Sequence, residues 1–236
     1  MDYIKEFPDS VSSYLCYAEA LIAFPFSSGK KIDSVLQLAE QIDSRSGYLW
    51  FLKGMNELNN KKSETARDYL KKSVELDSSQ YETWLQYGYL EISQNKNTPL
   101  VKDIAQKLLR LDSTRYEGYL MMGEYEFYNR NYVISNNWHR RALKTPQLNK
   151  ITSSQVAEKI AINHYNLLLE KKETRDSSLL YYDLAIWLGY PVKELAYISK
   201  STIYLQTGDT IRAKKELMKS LSVNPRYEYA LENLIF

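Results

Sequence analysis

The sequence predicts an all-α protein: a right-handed superhelical solenoid of about six helix pairs, closed by a short C-terminal helix. Three observations carry this. Trp50, Gly54, Ala66, Leu70 and Ser73 are spaced as two packed helices require, and Trp84 and Gly88 repeat Trp50 and Gly54 34 residues on, which is the period of a helical repeat array. Long apolar patterns recur every three to four residues and none alternates, so helices are expected and strands are not. Eight Gly and six Pro in 236 residues are too few for a sheet protein rich in tight turns.

Taken in order, Asp9 or Ser10 caps a first helix through Tyr14, Tyr17, Ala20, Leu21 and Phe24, which Pro25, Ser27, Ser28 and Gly29 end. Lys31 to Ile42 forms its partner, with Val35, Leu36, Ala39 and Ile42 on one face. Ala20 and Ala39 stand where Gly54 and Ser73 stand in the next unit, so 13–46 is a degenerate first repeat and 47–80 is the cleanest. In the third unit, 81–115, Thr98 caps the second helix, with Pro99 at a position where its missing N–H costs nothing. The fourth, 116–149, keeps Tyr119, Gly123, Phe127, Ser135 and Ala142.

After Pro146 the regularity falters. Thr152 and Gln155 form a capping-box pattern ahead of a helix reaching Glu170, and a bend is expected at 145–154. In the fifth unit, 152–192, Ser178, Tyr182 and Ala185 fit the second helix, while Asn166 holds the place of a small residue. The sixth, 194–227, recovers the pattern with Ser201, Tyr204, Gly208, Ala213, Leu217, Ser220 and Pro225, and 227–236 begins another helix. Gly, Ala and Ser recur at the crossing positions because a larger side chain there would force two helices apart.

These residues resemble the tetratricopeptide repeat family over about 13–227, in one array. Two departures stand out. Glu57, Glu91 and Glu126 replace the family's Tyr three residues after the Gly, and Ser78 and Ser113 replace its closing Pro. The glutamates, with Trp84, Tyr87 and the Ala66–Arg67 pair, also resemble the half-a-tetratricopeptide repeats of RNA-processing scaffolds. Lys53 and Met122 in place of a Tyr, and Gly at the crossings, fit the ordinary family better.

Catalysis finds no support. Gly118 and Gly123 have phosphate-loop spacing, but Glu124 replaces the Lys, and the segment reads as helix. His139 and His164 are the only histidines; with no Cys or paired carboxylate at ligand spacing they read as surface or boundary residues. No Gly-x-Ser-x-Gly exists. No cofactor and no metal is expected. Cys16, the only cysteine, excludes an internal disulfide and reads as a buried thiol on an inner helix face.

The resemblance implies a non-catalytic interaction scaffold, one piece of a larger assembly, whose first helices line a concave groove for a peptide or partner protein. The groove positions are Tyr48, Phe51, Met55 and Leu58, then Glu82, Leu85, Tyr89 and Ile92, then Glu117, Leu120, Glu124 and Phe127. This surface is apolar with acidic spots; alternatively, several of these side chains pack between neighbouring helices. Family members that hold acidic chaperone tails present Lys, Asn and Arg at set positions. Phe51, Met55, Gln86, Glu117 and Met121 stand there instead, so that carboxylate clamp is absent and an apolar or basic segment is the better ligand.

A formal charge of +2 gives no global field toward nucleic acid. Basic residues gather on second helices, Lys71, Lys72, Lys107, Arg110, Arg140, Arg141, Lys144, Lys214, Lys215 and Lys219, as a solvated convex face or an RNA-binding stripe. Met1 to Phe7 is no export signal and no run spans a membrane, so a cytoplasmic site is expected. Leu234, Ile235 and Phe236 leave an apolar edge, which a longer native chain, a second copy or a partner covers.

Overall fold

The computed structural model describes residues 10–24, 29–94, 98–171 and 175–234. Asp9, Pro25, Ser27, Ser28, Ile235 and Phe236, which carry sequence expectations, lie outside them. The described residues form thirteen helices and no strand: α1 Val11–Ala23, α2 Gly29–Ile42, α3 Gly47–Asn59, α4 Ser63–Leu76, α5 Tyr81–Gln94, α6 Pro99–Leu111, α7 Glu117–Tyr128, α8 Tyr132–Ala142, α9 Lys150–Leu169, α10 Arg175–Trp187, α11 Lys193–Gln206, α12 Thr210–Val223 and α13 Glu228–Glu232. They fall into two compact units, 1–96 with 110–112, and 97–109 with 113–236.

In the first unit α1 packs on α2 and α3, and each later helix packs on the next as far as α5. Its core gathers Leu15, Ala18, Ile32, Val35, Leu36, Ala39, Leu49 and Leu52. A Cβ on Gly54 would stand 2.9 Å from Leu70, and one on Gly47 would stand 2.8 Å from the Asp77 Cβ. Glycine therefore sets how closely α3 and α4 approach. Ser73, fully buried, donates from Oγ to the Gly47 carbonyl at 2.7 Å, so this crossing is clipped by a hydrogen bond as well as packed.

The second unit repeats the device. Ser135 donates to the Gly123 carbonyl at 2.8 Å, Ser178 to that of Ala161 at 2.9 Å, and Ser220 to that of Glu194 at 3.2 Å. From α7 to α13 each helix packs on its successor. A second core around Ala161, Leu179, Tyr182, Ala196 and Ile203 joins α9, α10 and α11.

First-helix aromatics tie down the turns before them. Trp50 Nε1 donates to the Ser44 carbonyl at 2.8 Å, Trp84 Nε1 to that of Ser78 at 3.0 Å, and the Tyr119 hydroxyl to that of Ser113 at 3.1 Å. An aromatic with a polar tip packs on the second helix and satisfies a loop carbonyl at once. The turn after the first helix is also repeated: Lys61, Arg130, Lys171 and Gly208 have φ of 60°, 62°, 58° and 79°. After three of these turns the next amide reaches back to Glu57, Glu126 and Tyr204 respectively, a left-handed helix stop.

Several local expectations are corrected. Cys16 is exposed, and so is Ala20; the small residues buried in α1 are Ser13 and Ala18, and Phe24 is exposed as well. Asn149, not Thr152, caps α9, its side chain accepting from the Thr152 amide at 2.8 Å. The small crossing residue of α9 is Ala161 and not Asn166: its serine partner lies 17 residues on, against 12 for Gly123. The extra length sits in α9, which has 20 residues, and in the segment after it. Finally, His139 and His164 are both buried, because each packs inside the second unit.

Candidate functional site

The candidate surface is the first-helix side of each unit, taken separately. In the first unit, Tyr48 and Phe51 stack at 5.7 Å and pack half-buried against the core around Leu49 and Leu52. The Tyr48 phenol is pushed well up by burial and by its hydrogen bond to Glu19. Met55, Leu58 and Ile92 are half-buried, Glu82 is exposed, and Tyr89 is 47% exposed. Leu85 is buried, so it supports the wall without presenting itself.

In the second unit Glu117 is buried and engaged by Arg115 at 2.8 Å, which neutralises it as an acidic spot. Leu120 and Phe127 are half-buried, and Phe127 meets Tyr128 edge-on at 5.2 Å. Glu124 borders a cavity of about 170 Å³ together with Phe127, Tyr128, His139, Glu158, Lys159 and Ile162. Lys159 Nζ is 2.5 Å from Glu124 Oε1, and His139 Nε2 is 3.7 Å away. Burial opposes ionisation of Glu124, but His139 and the Lys159 ammonium outweigh it and hold the carboxyl at about 2. Burial lowers His139, so its imidazole is neutral at pH 7. Glu158 is raised, first by burial, and shares a hydrogen bond with Tyr190, which is itself pushed up to about 12.

Glu158, Lys159, Ile162, Tyr128 and His139 were not among the sequence candidates. The signal was there: measured from Ala161, Glu158 and Ile162 hold the places that Leu120 and Glu124 hold relative to Gly123. Aligning on Asn166 concealed it.

The glutamates that replace the family's Tyr serve internal pairing. Glu91, 0% exposed, accepts from Arg67 Nε and Nη2 at 2.5 and 2.9 Å; Glu126 accepts from Asn131 at 2.7 Å; Glu57 lies 3.2 Å from Lys62. Much of the basic face is engaged too. Lys72 Nζ stands 3.3 Å from the centre of the Trp50 ring, Arg141 4.6 Å from that of Trp138, and Arg140 contacts Tyr181 and His164. No group of metal-binding side chains is present, and no helix is long and apolar enough to cross a membrane, among the described residues.

Stacked helix pairs with small residues at their crossings define a helical-repeat protein. Residues 48–80 and 195–227 match the tetratricopeptide repeat model. Its fold is shared with the C-terminal part of a TPR repeat-containing protein from Cytophaga hutchinsonii (TM-score 0.74, 16% identity, 99% of this chain and 91% of that one). It is also shared with YrrB, described as a TPR protein with an unusual peptide-binding site (0.63, 15%, 85% and 98%). A third structure, the APC/C hetero-tetramer Cut9-Hcn1, matches at 0.66 and 14% over 99% of this chain. This chain spans only 44% of the length of that one. At these identities the likeness is one of fold. No curated protein matches the sequence.

Proposed function

We propose that the chain is a non-catalytic scaffold that binds a peptide or partner protein along its first helices, as one piece of a larger complex. The supporting observation is the set of equivalent first-helix positions that remains accessible within each unit: Phe51 and Met55 in α3, Tyr89 in α5, Glu124 and Phe127 in α7. Helical-repeat proteins use such positions for binding because stacked pairs rigidly present one side chain per turn. The unusual peptide-binding site described for YrrB favours the same use of the fold here. The ligand chemistry inferred is apolar or basic, since Glu82, and Glu124 with Glu158 against the single Lys159, would repel an acidic tail.

Tyr89 is the cleanest probe, because it is exposed while Phe51 also packs on the core. Tyr89→Ala should weaken binding of the native partner by roughly 1 to 4 kcal/mol, the range for an anchoring aromatic, and leave the melting temperature unchanged. Calorimetric titration with the captured partner, beside a melting curve, reads both. Undiminished affinity in Tyr89→Ala and in Glu124→Gln would reject this face as the binding surface.

A further inference from the structure

The cavity in the second unit is lined in two halves. Phe127, Tyr128 and Ile162 give an apolar shelf, and Glu124, Glu158, Lys159 and His139 give a polar end. With the imidazole neutral, that end holds two carboxylates and one ammonium, one negative charge in excess when both carboxylates are ionised. Glu124 already has Lys159. Glu158 is raised first by burial; Lys159, the one ammonium that both carboxylates share, and the Tyr190 hydroxyl offset this in part, and the nearby Glu124 charge raises it further. His139 is 1% exposed and lines the cavity; its contact with Glu124, which helps hold that carboxyl down, is long at 3.7 Å, and neither ring nitrogen has a closer partner. A buried imidazole left in this state, facing a space of about 170 Å³, points to a group that fills the space.

We propose that this cavity, between α7, α8 and α9, takes one arginine or lysine side chain of a bound protein segment. Its stem lies on Phe127, Tyr128 and Ile162, and its charged head meets Glu158 and Glu124 at the polar end. The volume admits a single long side chain, the apolar shelf suits a methylene stem, and the excess charge of minus one matches one cation. A second acidic group would add repulsion, and an aliphatic side chain would leave the carboxylates unpaired. This inference rests on the scaffold reading above and supplies its ligand chemistry.

The test is a selection of displayed random peptides on the full chain, followed by titration of the best peptide. The proposal expects Arg or Lys enriched at one fixed position. Replacing that residue by citrulline or norleucine should lower affinity at least tenfold. Glu158→Gln, close in shape and able to keep the Tyr190 contact, should weaken the Arg peptide by a similar factor. Lys159→Gln, which makes the cavity more acidic, should tighten it. Opposite signs in these two variants separate a ligand contact from a general loss of structure, which would weaken both. Peptides that bind with no fixed basic residue, or that ignore both substitutions, overturn the basic-residue pocket and leave the scaffold reading standing. A selection that enriches nothing overturns both.

Discussion

Glu91 shows how one buried charge is made tolerable. It is 0% exposed, and Arg67 holds both its oxygens in a two-pronged pair, which also raises the arginine's own proton affinity. Removing only the arginine leaves an uncompensated charge in the core. Arg67→Ala should therefore cost about 3 to 5 kcal/mol in urea unfolding, whereas Arg67→Met with Glu91→Leu should fall close to wild type. A second residue-scale prediction concerns acid. Burial lowers His139 below its ordinary 6.5, so the unfolded chain takes up a proton there before the folded one does. Stability should fall as pH drops below that value, by at most about 1.4 kcal/mol per unit. Glu124, held at about 2 against an ordinary 4.5, adds a loss between those two pH values. His139→Leu should flatten the stability curve just below pH 6.5 and, because His139 also helps hold Glu124 down, shrink the deeper acid limb without abolishing it, as chemical unfolding across pH would read. An unchanged slope would mean that His139 is not the group responsible.

The helix pair is the element that repeats, and its ends follow one rule with unequal residues. Lys61, Arg130 and Lys171 adopt left-handed backbone where Gly208 does the same without a side chain. An L-residue is strained there by about 1 kcal/mol. Lys61→Gly and Arg130→Gly should each raise stability by about 0.5 to 1 kcal/mol, and Gly208→Ala should lower it by a similar amount. No neighbour stands within 4 Å of a Cβ at Gly208, so that loss would measure backbone strain alone. Thermal melts of the three variants check the signs. The serine clip is the other element-scale device: Ser73→Ala keeps the small volume and loses only the bond to Gly47, so about 1 kcal/mol is expected.

At the scale of the whole molecule, helices packed each on the next in the chain make most contacts local within each unit. The circular dichroism spectrum should be that of a helical protein with no strand component. With Cys16 the only cysteine, and exposed, reductant should leave the melting temperature unchanged, and native Cys16 should react with a thiol reagent without unfolding. Slow labelling that tracks unfolding would contradict its exposure.

The helical class, the paired-helix repeat and most crossings were legible in the sequence, because a crossing tolerates only small residues and the same few offsets return. Trp50, Gly54, Ala66 and Ser73 could be read in that way without any coordinates. Three things depended on the tertiary structure. The insertion in and after α9 kept the helical period while shifting the repeat register, so periodicity gave no warning that Ala161 replaces Asn166 at the crossing. Burial of His139, His164 and Glu91 arises from neighbours distant in sequence, which composition does not reveal. The cavity is the clearest case: Glu124, His139, and Glu158 with Lys159 come from three helices, and only their packing decides that these titratable groups share one pocket. Repetition is a property of the chain, but which distant side chains share a pocket is a property of the packed fold.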